Sequence, residues 1–134
     1  MYTFNTTPRL VIGASKLQHL GALLSDLRIK NPLIVTGPNL SKTKVIKEAQ
    51  KWADTANVFC DLVQDPTTDN VLNCVAYGLN KQVDGVIGIG GGSSLDVAKV
   101  ASVLLKQETD LDDMWGVNNI HSSRLPLILI PTTA

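Results

Sequence analysis

Short apolar runs alternate along this chain with longer segments whose apolar residues recur every three or four positions. Leu33-Ile34-Val35, Val58 to Val63, Val86-Ile87-Gly88-Ile89 and Leu125 to Ile130 read as strands, and the unbroken ones suit strands covered on both faces of a sheet. Between them lie four helical patterns. Lys16 to Arg28 places Leu17, Leu20, Leu24 and Leu27 on one face. From about Ser41 to Asp54 the stripe is Val45, Ile46, Ala49, Trp52 and Ala53, with Trp52 read as core. Asp69 to Asn80 carries Val71, Leu72, Val75, Ala76 and Leu79. The last helix, Ser93 to about Lys106, is apolar nearly all round (Leu95, Val97, Ala98, Val100, Ala101, Val103, Leu104, Leu105), as expected of a helix buried between layers.

Tyr2 to Asn5 and Arg9 to Gly13 flank Pro8 as a short N-terminal β-hairpin, and Asp110 to Arg124 reads as polar and irregular. Strands alternating with helices of ten or more residues imply an α/β fold: a Rossmann-like parallel sheet with right-handed crossovers and helices on both faces. In such sheets ligands bind at the carboxyl ends of the strands. That rule puts Thr36-Gly37, Asp65-Pro66, Gly90 to Ser93 and Pro131-Thr132-Thr133 on one rim.

The segment Asp84 to Lys99 is the most informative on that rim. It reads as a buried strand, three glycines and a helix start, a combination that lets the backbone approach a phosphate closely. Ser93 is the expected N-cap. Asp96, three residues on, completes a capping box and suits the positive end of the helix dipole. The spacing Gly88-x-Gly90-x-Gly92 is not the G-x-G-x-x-G of the common dinucleotide fingerprint. A glycine turn with only a folding role is the competing reading.

At 134 residues and 44% hydrophobic content the chain suits one domain, residues 1–134. Twelve basic and twelve acidic side chains cancel, which argues against nucleic acid or an anionic membrane surface as partners. Lys42, Lys44, Lys47 and Lys51 read as the solvated face of a helix, with a phosphate contact as the alternative. Cys60 and Cys74 have neither C-x-x-C spacing nor a secreted framework and are expected as reduced core residues. No apolar run approaches the roughly 18 residues of a membrane span, and the polar start is unlike a signal peptide, so a cytoplasmic location is expected. His19 and His121 have no partner at metal-ligand spacing, so no metal is expected on this chain, and neither a Ser-His-Asp arrangement nor G-x-S-x-G is present.

Gly90-Gly91-Gly92-Ser93-Ser94-Leu95-Asp96-Val97-Ala98-Lys99 resembles the GGGSSxDxAK signature of the iron-containing (metal-dependent) alcohol dehydrogenases. Pro32 to Gly37 is similar to that family's second-strand segment, Val63 to Thr67 to its V-x-N-P-T turn, and Pro126 to Ala134 to its P-L-I-x-I-P-T-T-A strand and loop. The resemblance implies that the chain is the dinucleotide-binding domain of an oxidoreductase that moves hydride between a small alcohol or aldehyde and NAD or NADP. It further implies a helical domain beyond Ala134 that holds Fe2+ or Zn2+ with one aspartate and three histidines, so the chain alone is expected to be inactive.

By the same resemblance Gly91, Gly92 and Ser93 take the pyrophosphate, Thr132 and Thr133 line the ribose side, and Gly37 sits near the adenine ribose. Asp96 either only caps its helix or also faces the nicotinamide end. Lys99 pairs with Asp96 at i, i+3 or with a ligand. Two positions depart from the family pattern. Gly37 stands where an aspartate is expected to hold the ribose hydroxyls, which makes NADP acceptable, with Lys42 or Lys44 near enough to pair with its 2′-phosphate. Asp65 replaces an asparagine near the cofactor channel, or serves turn chemistry before Pro66. The glycerol dehydrogenase and dehydroquinate synthase group shares the architecture, and a stand-alone nucleotide-binding or interaction module is the reading from another class. A homodimer is plausible on either view through the apolar face of the last helix.

Overall fold

The computed structural model describes residues 9–10, 14–53, 55–63, 65–112 and 124–132. Among these residues five strands form one parallel sheet: β1 (Arg9–Leu10), β2 (Pro32–Val35), β3 (Asn57–Phe59), β4 (Gly85–Gly90) and β5 (Leu127–Pro131), in the order β1-β5-β4-β2-β3. Four α-helices connect them: α1 (Leu20–Asp26), α2 (Lys44–Trp52), α3 (Thr68–Lys81) and α4 (Gly92–Asp112).

The two sides of the sheet divide the strand residues by parity, as pleating requires. Ile34, Ile87, Ile89, Ile128 and Ile130 pack with Leu17, Leu20 and Leu24 and with Ile46 and Ala49 of α2. Leu33, Val35, Val86, Leu127 and Leu129 face Cys74 and Val75 of α3 and Val97, Ala98, Ala101 and Leu105 of α4. Both faces are therefore covered, which is why the strands read as continuous apolar runs and not as alternations.

The edge strand β1 pairs Arg9 with Ile128 and Leu10 with Leu129 in parallel. The expected hairpin partner, Tyr2 to Asn5, lies outside the described residues, as do residues 11–13. The helix expected over Lys16 to Arg28 is instead a 3-10 segment, Ala14–His19, that runs into α1. The spacing of three between Leu17 and Leu20 suits the tighter winding, which eclipses i and i+3. Helix α1 ends in a left-handed Arg28, φ 60°, beyond which Ile29 N donates to Leu24 O at 2.8 Å.

Trp52 is 39% exposed and not a core residue. Its Nε1 donates to Glu48 Oε1 at 3.1 Å and Lys51 Nζ lies 5.5 Å from its ring, so a neighbouring pair of charged side chains holds it on the surface. Strand β3 is only three residues long, against an expected span to Val63, because Asn70 captures the chain beyond it. The Asn70 amide donates to Asp61 O at 2.7 Å and its Oδ1 accepts from Val63 N at 3.0 Å, replacing ladder bonds with side-chain bonds. Helix α3 begins as a Thr67 N-cap accepts from Asn70 N at 3.1 Å. Helix α4 extends to Asp112, through residues expected to be irregular.

Candidate functional site at the β2 and β4 carboxyl ends

Chain order reverses between β2 and β4. After β2 the chain crosses to β3 on one side, and after β3 it returns to β4 on the other. The loops leaving β2 and β4 therefore part from each other, and an open cleft of about 390 Å³ lies between them, lined by Gly37, Pro38, Asn39, Leu40, Thr43, Gly90, Gly91, Ser94 and Thr132. This is the topological switch point at which open α/β sheets bind ligands.

Helix α4 forms one wall, and glycines bring it there. At Gly88 a Cβ would stand 2.7 Å from Ala98 Cβ, so the bare strand lets the helix lie close against it. Gly90 has φ 141°, a conformation open to glycine alone, and a Cβ there would meet Ser94 Oγ at 3.0 Å. The first bond of the helix is Leu95 N to Gly91 O at 3.1 Å, so the preceding amides of Gly91 and Gly92 have no acceptor within the helix. Gly92 is different from the other two. It is exposed and a Cβ there would meet nothing within 4 Å, so packing within the chain does not require a glycine.

The opposite wall is the 3-10 turn Leu40–Lys42, which leads from β2 to α2. Ser41 N donates to Gly37 O at 3.0 Å, Ser41 Oγ to Pro38 O at 2.7 Å and Thr43 Oγ1 to Leu40 O at 2.6 Å. The turn is thus held by its own polar groups. Thr132 N donates to Gly90 O at 3.1 Å and ties the end of β5 to the glycine corner. None of the nine lining residues is charged.

Of the residues singled out from sequence, Gly37, Gly91 and Thr132 line the cleft together. Gly92 and Ser93 sit beside it in the exposed first turn of α4. The expected capping box is not formed as read. Gly92 is already helical, so Ser93 lies inside the helix and is not its cap, and Asp96 lies beyond the first turn. Two glycines in succession can take the helix start themselves, one residue earlier than the capping signal suggests. Asp96 is exposed and pairs with Lys99 Nζ at 4.0 Å, the i, i+3 surface pair. Asp65 is exposed in the loop before α3 and is not among the lining residues. Thr133 lies outside the described residues.

Sequence reasoning missed Ser94, Leu40 and Thr43. Ser94 is buried where Ser93 is exposed, and it faces Gly90 because it stands four residues on, one helical turn. Thr43 is the N-cap residue of α2, a position that a threonine before a helical pattern signals.

Among the described residues no three His, Cys, Asp or Glu side chains converge on a point where a metal ion would be held. His19 is exposed at the end of the 3-10 segment, and His121 lies outside the described residues. Among the described residues, too, no helix is long and apolar enough to cross a membrane.

Residues 7–134 match the family model of the iron-containing alcohol dehydrogenases. The chain belongs to that family. Sulfoacetaldehyde reductase of Bilophila wadsworthia is 32% identical over 133 residues, covering 96% of this chain and 34% of that protein. The NAD-dependent methanol dehydrogenase of Bacillus methanolicus is 30% identical over 138 residues, covering 100% of this chain and 36% of that protein. Among solved structures, an iron-containing alcohol dehydrogenase of Thermotoga maritima superposes with a TM-score of 0.73 at 32% identity, covering 99% of this chain and 38% of that one. The chain thus spans about a third of the length of the curated relatives it matches.

Proposed function

We propose that the cleft between β2 and β4 binds a nicotinamide dinucleotide, NAD or NADP, and that the chain is the cofactor-binding part of an oxidoreductase acting on a small alcohol or aldehyde. The observation that carries this reading is Gly92. At the start of α4, on the rim of the switch-point cleft, the chain keeps a residue without Cβ where its own packing leaves room for one. An anion drawn to the helix start supplies the missing reason, since a side chain there would stand between it and the backbone amides.

On this reading the amides of Gly91, Gly92 and Ser93 bind the pyrophosphate, with the positive end of the α4 dipole behind them. Gly90 fixes the corner and Ser94 packs beneath it. Gly37 and Leu40 bound the adenosine end, Leu40 supplying apolar surface, and Thr132 borders the ribose side. Asp65 and Asp96 lie outside the cleft, and the support for a cofactor contact by either is the family resemblance alone. When bound, the dinucleotide supplies the hydride acceptor or donor; this chain holds and orients it. Among the described residues no cluster of potential ligands would hold the Fe2+ or Zn2+ of the family pattern.

Calorimetric titration of the chain with NADH, alongside Gly92→Asp, tests the reading. Open space at Gly92 predicts a variant that folds normally, with its carboxylate stabilising the α4 start, yet loses NADH binding by about a hundredfold or more through charge repulsion and obstruction. Equal binding by both proteins would refute it.

A further inference from the structure

Two buried serines of α4 differ in what becomes of their hydroxyls. A serine inside a helix ordinarily satisfies its hydroxyl by donating to a carbonyl three or four residues back. Ser102 does so, its Oγ donating to Lys99 O at 2.7 Å. Ser94 is only 8% exposed, and among the described residues its Oγ has no hydrogen-bond partner. The carbonyls three and four residues back are already engaged: Gly91 O accepts from Leu95 N and Gly90 O accepts from Thr132 N, each at 3.1 Å. The oxygen is directed instead between two strand ends. It lies 3.0 Å from where a Cβ of Gly90 would stand and 3.9 Å from where a Cβ of Gly37 would stand, so it forms part of the cleft floor between β4 and β2. A nearly buried hydroxyl left unpaired costs stability, and alanine would fill the position without that cost.

We propose that Ser94 is a cofactor-binding residue whose hydroxyl donates to the pyrophosphate from the cleft floor. The inference rests on the dinucleotide reading above and adds to it a side-chain donor. The resemblance puts the serine of the pyrophosphate site at Ser93, but Ser93 is exposed in the first turn of α4, whereas Ser94 lines the cleft. The two glycines leave the way to Ser94 open, since neither Gly37 nor Gly90 places a side chain over its oxygen. A phosphate oxygen accepts from such a hydroxyl in a charge-assisted hydrogen bond and so satisfies a donor that the chain itself leaves unpaired. The amides at the α4 start draw an anion to the helix end, and the Ser94 hydroxyl fixes where along the cleft that anion rests.

The test pairs two measurements on the natural chain, on Ser94→Ala and on Ser94→Cys: titration with NADH and with ADP, which carries the diphosphate without the nicotinamide half, and urea unfolding. Ser94→Ala should bind both ligands about tenfold more weakly, while its urea midpoint holds or rises. Ser94→Cys keeps nearly the same shape with a weak donor, so it should lose affinity for both ligands as well. Loss of binding without loss of stability is what separates a ligand contact from a structural serine, which would lower the midpoint. Equal binding by the natural chain and Ser94→Ala, a lowered midpoint in Ser94→Ala, or weaker binding of NADH with ADP unaffected overturns this inference and leaves the dinucleotide reading standing. Binding of neither ligand by the natural chain overturns both.

Discussion

Gly88 on β4 and Ala98 on α4 lie so close that a Cβ added to the glycine would stand 2.7 Å from the alanine Cβ. This contact sets how near the helix comes to the sheet, and with it where the α4 start lies relative to the β2 loop. Gly88→Ala should destabilise the chain by roughly 1–3 kcal/mol, since Leu129 and Leu95 close the remaining space at 3.2 and 3.4 Å. Ala98→Gly alone should cost about 1 kcal/mol of helix propensity. The double variant should be more stable than the sum of the two losses implies, because the Cβ has then been moved from helix to strand. Urea unfolding of the three variants measures this coupling; simple additivity would show that the contact does not set the spacing.

Thr36 is fully buried at the end of β2, and its Oγ1 has no hydrogen-bond partner among the described residues. A buried hydroxyl left unpaired costs about 1–3 kcal/mol. Thr36→Val, which keeps the shape and removes the hydroxyl, should therefore raise the urea midpoint, by about 1 kcal/mol of stability, with NADH binding unchanged. A lower midpoint would mean that the hydroxyl is satisfied in solution.

Cys74 sits fully buried between α3 and the sheet, and burial pushes its thiol up from an ordinary value of 9.0 to about 12. The folded chain thus keeps a proton that the unfolded chain releases across this window. The stability linked to Cys74 is fully present below about pH 9 and falls as pH rises toward 12, by up to about 1.4 kcal/mol per pH unit. Comparing urea unfolding at pH 8 and pH 10.5 for the natural chain and for Cys74→Ala isolates the effect from other titrating groups. The natural chain should lose more stability over that interval than the variant; an identical loss would contradict the assignment.

How much of this was legible beforehand depends on whether a local pattern or a tertiary contact decides the outcome. Parallel topology followed from runs such as Leu33-Ile34-Val35 and Val86 to Ile89, because a strand covered on both faces has no polar side to show. The glycine corner was legible because Gly90 needs its positive φ for reasons internal to the chain. Trp52 was misread because periodicity marks a face without saying where that face ends, and a tryptophan at its edge is held outward by Glu48 and Lys51. The end of β3 was misread because Asn70, eleven residues beyond Phe59, takes over the hydrogen bonds that would have extended it. Ser93 and Ser94 look equivalent in the sequence, and only a helix start at Gly92 turns the second inward and the first outward.

Amide chemical-shift mapping of the isotope-labelled chain during titration with NADH locates the nucleotide directly. The largest shifts should fall on Gly91, Gly92, Ser93 and Ser94, with smaller ones on Gly37, Leu40 and Thr132. At the opposite end of the sheet, Lys30 and Asn31, whose amides donate to the Asp84 carboxylate at 2.9 and 2.7 Å, should stay still. Shifts centred anywhere other than the start of α4, or none at saturating nucleotide, would contradict a dinucleotide site between β2 and β4.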